Sequence, residues 1–63
     1  MKTLKRLPIE LLEIGDPILR NGKHYEIVYI EKDVHGYDVY ANDVMGRRTY
    51  FFVADGETVT IDK

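Results

Sequence analysis

The stretch NGKHYEIVYIEKDVHGYDVYANDVMGRRTYFFVADGETVTI, residues 21–61, decides the fold. Its punctuation is glycine, in the pairs Asn21-Gly22, His35-Gly36, Met45-Gly46 and Asp55-Gly56. Glycine adopts positive φ without steric cost and Asn or Asp tolerates it, so such pairs favour the centres of tight hairpin turns. Between them lie Tyr25–Ile30, Tyr37–Ala41, Thr49–Val53 and Thr58–Ile61, all rich in β-branched and aromatic residues. Those side chains suit a half-buried pleated surface. Short strands joined by short turns predict an antiparallel meander, not a βαβ unit.

Alternation assigns the faces, because successive side chains of a strand point to opposite sides. Val59 and Ile61 share one side of the last strand, against Thr58, Thr60 and Asp62. Tyr37, Val39 and Ala41 oppose Asp38, Tyr40 and Asn42. The 25–30 run is apolar on both sides, with Ile27 and Tyr29 opposed to Val28 and Ile30. A central barrel strand, or one bent by a bulge, has that pattern. The expected core is Leu12, Ile14, Ile18, Ile27, Ile30, Val39, Ala41, Phe51, Val53, Val59 and Ile61.

Working outward, Ile9 to Gly15 reads as a short helical turn at about residues 9–13, with Pro8 early and Gly15 as its left-handed stop. Asp16-Pro17 breaks whatever precedes it, because Pro17 has no N–H and biases Asp16 toward extended backbone. The expected organisation is an extended basic arm over residues 1–8 and a single all-β domain over 9–63, a small five-stranded antiparallel barrel.

The stretch Ile9–Ile30 (IELLEIGDPILRNGKHYEIVYI) resembles the opening of SH3-like small barrels. The likeness lies in Leu12, Gly15-Asp16, Ile18-Leu19, Asn21-Gly22 and the long strand through Tyr25, Ile27 and Ile30. With the later hairpins it covers roughly two-thirds of the chain. It implies an SH3-like barrel, of the kind encoded by bacteriophages and prophages, and carries no functional residue with it. Pro17 departs from the pattern and suggests that the first barrel strand sits at an edge.

Sixty-three residues form one domain. A chain this short buries only about 60% of its unfolded surface, so its large apolar residues are needed inside. With no cysteine, disulfides and thiolate metal sites are excluded. No apolar run is long enough to cross a bilayer and Met1–Leu7 is not followed by a signal-like apolar stretch, which together predict a cytoplasmic protein. The net charge of −2 is uneven: Lys2, Lys5 and Arg6 give residues 1–8 +3, and the remaining six bases and eleven acids give −5. A basic arm can touch phosphate, but an acidic body repels a polyanion.

Little here points to catalysis. The chain has no serine or cysteine to act as nucleophile, and its isolated glycines form no phosphate loop. A filled small barrel leaves little room for a pocket, and no cofactor is expected. Asp33, His35 and Asp38 could ligate a divalent ion, yet they also read as a solvated hairpin tip, so no metal is expected. The acids are scattered singly, which gives no support to imitation of a DNA backbone. The seven aromatics are more informative, five of them tyrosine. With Ile27 and Phe51 inward, Tyr40, Tyr50 and Phe52 face outward near Arg47 and Arg48, an aromatic and arginine patch suited to an interface. Such residues are also ordinary strand formers. Two expectations follow. One is a non-enzymatic interaction module, a phage or bacterial accessory protein that binds a protein or a second copy of itself. The other is a nucleic-acid-binding barrel that stacks bases on the aromatics and holds phosphates with Lys2, Lys5 and Arg6 of the arm, together with Arg47 and Arg48.

Overall fold

A computed structural model describes residues 4–62 as an all-β protein: six antiparallel strands in one open sheet. In chain order they are β1 (Leu4–Pro8), β2 (Pro17–Arg20), β3 (Lys23–Asp33), β4 (Gly36–Asp43), β5 (Arg48–Ala54) and β6 (Thr58–Asp62). One 3-10 turn, Ile9–Leu11, joins β1 to β2 and occupies the place of the expected helical turn. Across the sheet the order is β1-β6-β2-β3-β4-β5.

Local chemistry makes the reversals. Asn21 and Gly22 both take positive φ, 54° and 75°, and join Arg20 directly to Lys23. Two positive-φ centres match the right-handed twist of the flanking strands. The β3–β4 reversal is different. Gly36 is the first residue of β4, paired with Asp33, and the turn itself is Val34-His35. Glycine is needed there for space: a Cβ would meet the Val53 carbonyl oxygen and, at 2.7 Å, both Ala54 Cα and Phe52 Cζ.

The buried apolar residues are Ile9, Leu12, Ile18, Ile27, Val39, Ala41, Val53, Val59 and Ile61. Each large one contributes roughly 1.5–3 kcal/mol through burial. They come from the 3-10 segment and from β2 to β6, so the sheet curls over one core, with Leu7, Tyr25, Ile30, Tyr37 and Phe51 packed against it. A bulge between Ile27 and Tyr29 makes this possible within the eleven-residue β3. The extra residue switches the parity of the strand, so that Ile27 and Ile30 both turn inward and Tyr29 turns outward.

Four expectations need correction. The sheet has six strands and is open, where a closed five-stranded barrel was expected: Leu4–Pro8 is not a free arm but pairs with β6, and β5 has no strand on its other flank among the described residues. Ile14 is not core; it is 64% exposed at the tip of the Glu13–Asp16 turn, and Ile9 is buried instead. Ile30 and Phe51 are half-buried rim residues. Finally, β2 is no edge, since it lies between β6 and β3. Pro17 is tolerated because it is the first residue of that strand and β2 meets β6 only at Ile18 and Leu19. The preceding turn is tied down by Gly15 N–H donating to Ile27 O (2.8 Å), Ile27 N–H donating to Asp16 O (3.0 Å) and Glu13 N–H donating to Asp16 Oδ2 (2.9 Å).

Candidate interaction face

The convex face of β3, β4 and β5 is organised in cross-strand rows. Register places Glu26, Asn42 and Arg48 in one row, Tyr29, Tyr40 and Tyr50 in the next, then Glu31, Asp38 and Phe52. The tyrosines form a ladder. Tyr40 lies 5.8 Å from Tyr29, tilted, and 5.8 Å from Tyr50, stacked at 28°. Such pairs add about 0.5–1.5 kcal/mol beyond burial. Tyr50 is still 70% exposed and Tyr29 51%. Phe52 is 44% exposed; its ring leans over Gly36, covering the place where a side chain is missing. An aromatic over a strand glycine shields the backbone beneath it. Adjacent Phe51 points the other way, with the Arg20 guanidinium 4.0 Å from its ring centre.

Tyr40, Arg48, Tyr50 and Phe52 therefore share one face, as the alternation of β4 and β5 predicts. Tyr29 belongs with them and was missed, because period-2 parity carried through Val28 assigns it to the Ile27 side. Arg47 does not join. It closes the β4–β5 turn, with its Nε donating to Asp43 Oδ2 (3.0 Å) and its amide to Asp43 Oδ1 (2.9 Å). The Arg47 amide is the main reason that the Asp43 carboxyl sits below the usual aspartate value; partial burial opposes it, and the Met45 amide and the Arg47 charge assist. Arg48 bends toward its own sheet, its Nε donating to Asn42 Oδ1 (2.8 Å).

The charge of this face is acidic: Glu26, Glu31 and Asp38 against Arg48. Glu31 and Asp38 are directly opposite one another, an arrangement that is unfavourable for like charges. Neither makes an ion pair with a described residue. The basic residues of the arm lie elsewhere. Lys5 and Arg6 are on β1, at the other end of the strand order from β5, and Lys2 falls outside the described residues.

The other candidate groups do not assemble. Among the described residues no three His, Asp or Glu side chains come together as metal ligands would, and this includes Asp33, His35 and Asp38. That hairpin is instead tied by Lys32, whose Nζ meets Asp33 O (2.7 Å) and Asp55 Oδ1 (3.2 Å) and lies 4.8 Å from the Tyr37 ring centre. Beside the Asn21-Gly22 turn an open groove is lined by His24, Tyr25, Glu26, Asn42, Asp43 and Val44. His24 Nδ1 stands 3.3 Å from buried Asp62 Oδ2. No helix among the described residues is long and apolar enough to cross a membrane. No protein-family model matches the chain, and no curated protein matches it.

Proposed function

We propose that this chain is a non-enzymatic protein-interaction module built on an SH3-like small barrel left open and extended by a sixth strand, with the face carrying Tyr29, Tyr40, Arg48, Tyr50 and Phe52 as its binding surface. The barrel reading is supported by the arrangement of β2 to β6, in the order β6-β2-β3-β4-β5 with a long bulged β3 shared between the two halves. β1 is then an added strand on β6. The observation that carries the binding reading is the exposed tyrosine ladder. Amphipathic aromatics beside an arginine anchor interfaces at low entropic cost. A polyanion is a poor occupant, because the same face holds three carboxylates to one arginine and phosphate neutralisation dominates nucleic-acid affinity.

The test is affinity capture from cells of the source organism with wild type, Phe52→Asp, Tyr29→Asp and a Lys5→Glu control on the far edge. Partners held by wild type and by Lys5→Glu, and lost by both aromatic variants, are the expected result. Partners retained equally by all four proteins would overturn the assignment of the face.

A further inference from the structure

The backbone of β5 adds a second kind of stickiness to this face. Asp43 N–H donates to Arg47 O (2.9 Å) and Asp55 N–H to His35 O (3.0 Å), one at each end of an unbroken β4–β5 register. Antiparallel pairs alternate between hydrogen-bonded and non-hydrogen-bonded. These two bonds therefore assign Thr49, Phe51 and Val53 to face β4 with their backbone groups. Arg48, Tyr50, Phe52 and Ala54 aim theirs outward, at the open flank. Ala54 is already satisfied: its N–H donates to Glu57 Oε1 (3.0 Å) and its C=O accepts from Glu57 N–H (3.1 Å). The outward groups of Arg48, Tyr50 and Phe52 make no hydrogen bond with any described residue.

We infer that β5 pairs antiparallel with β5 of a second copy of this chain, about a two-fold axis at Tyr50. In that register Tyr50 opposes the partner's Tyr50, and Arg48 and Phe52 oppose the partner's Phe52 and Arg48. Each pair exchanges two hydrogen bonds, so all three outward-facing residues are used. Shifting the axis to Thr49 leaves Phe52 unused, and shifting it to Phe51 sets Arg48 against the already occupied Ala54. Side chains favour the same register. The ladder runs on from Tyr50 into the partner's Tyr50, Tyr40 and Tyr29, joining the two faces.

Charge decides that the occupant is a second copy. On pairing, the partner's Arg48 exchanges its bond to its own chain's Asn42 for a place over the Phe52 ring, where cation–π attraction holds it. It then points at Asp38, two strand spacings or about 10 Å away between backbones, a gap the two side chains span together. The Glu31–Asp38 repulsion left uncompensated in the single chain is thus offset twice, once on each side of the axis. Two-fold pairing buries the β5 flank of both copies and so closes on itself.

This inference rests on the interaction reading only in taking β5 as part of the binding face. It is tested by sedimentation equilibrium over a concentration series of the purified full chain, with circular dichroism to check folding. Wild type is expected at twice the 7.4 kDa chain mass. Tyr50→Lys alone and Tyr50→Glu alone place like charges face to face and are each expected to be monomeric. Their equimolar mixture, with Lys opposite Glu, is expected to recover the doubled mass. Wild type that stays monomeric throughout, or Tyr50→Lys that stays dimeric while folded, overturns the pairing. If that monomer still loses captured partners on Phe52→Asp, the interaction reading survives and the pairing of β5 with a second copy alone is overturned. A dimer whose partners are indifferent to Phe52→Asp has the opposite meaning.

Discussion

Strand β1 holds Lys5 and Arg6 and ends in Pro8, whereas β5, at the other end of the sheet, is Arg48-Thr49-Tyr50-Phe51-Phe52-Val53-Ala54, with no charge after its first residue and no proline. Both are edges of the sheet formed by the described residues, and an edge exposes a row of unpaired amides that can template another strand. On β1 the bond from Ile9 N–H to Glu57 O (3.0 Å) continues the β6 register, so Leu4, Arg6 and Pro8 are the residues aimed outward. One of these is charged and one lacks an N–H. On β5 the outward set also holds one charge, Arg48, but it keeps every donor and surrounds them with the aromatic surface of Tyr50 and Phe52. Two edges of one small sheet thus differ in whether another chain can be added, and the difference is chemical, since both have the geometry for it.

The largest effect should come from removing that difference. Replacing Lys5, Arg6 and Pro8 together by threonine restores the donor on β1 and removes its charges. A second, unlike sticky edge permits open-ended addition, so light scattering should report species larger than the wild type, growing with concentration. No growth would mean that something other than these three residues protects β1.

Next is the attachment of β5 itself. Gly36→Ala drives a methyl into the β5 backbone, which should cost about 3 kcal/mol in urea unfolding, the upper end for overpacking. Gly46→Ala has open space but a φ of 83°; it should cost about 1 kcal/mol, the ordinary penalty of positive φ. Equal losses would mean that the close approach of Gly36 to β5 relaxes freely.

Tyr40→Ala removes the middle of the ladder and both its ring contacts. It should cost roughly 1–3 kcal/mol, more than Tyr29→Ala, which removes one contact. The smallest effect is that of acid. Asp43 has its carboxyl lowered in the folded chain, so its stabilisation is complete above the unfolded value and is lost as pH falls through the folded one. Melting temperature should therefore fall on acidification through and below the ordinary aspartate range slightly more for wild type than for Asp43→Asn. An equal decline in both would place the acid sensitivity elsewhere.

Strands β3 to β6, most turn glycines and eight of the nine buried apolar residues were legible in the sequence, chiefly from alternation and turn chemistry, because both are local. Ile14 and Ile9 could not be told apart that way: each is an isoleucine beside a turn, and which one is buried depends on where the Glu13–Asp16 turn docks on Ile27. Tyr29 was assigned to the wrong side because one unpaired residue near Val28 reverses the parity; the two-sided apolarity of the run is compatible with a bulge but does not say at which residue it falls. The pairing of Leu4–Pro8 with Thr58–Asp62 joins opposite ends of the chain, and five residues with two positive charges carry no local strand signal. That β5 is an edge is a property of strand order, so its outward backbone groups could not be seen at all before the sheet was assembled.

The account depends on the amides of Tyr50 and Phe52 pointing away from β4, and site-resolved hydrogen exchange across a dilution series measures this directly. In dilute solution Thr49, Phe51 and Val53 should be protected while Tyr50 and Phe52 exchange freely, and raising the concentration should bring those two under protection as well. Protection of Tyr50 and Phe52 at every dilution would show an edge already covered within the single chain, and free exchange at every concentration would show an edge that never pairs.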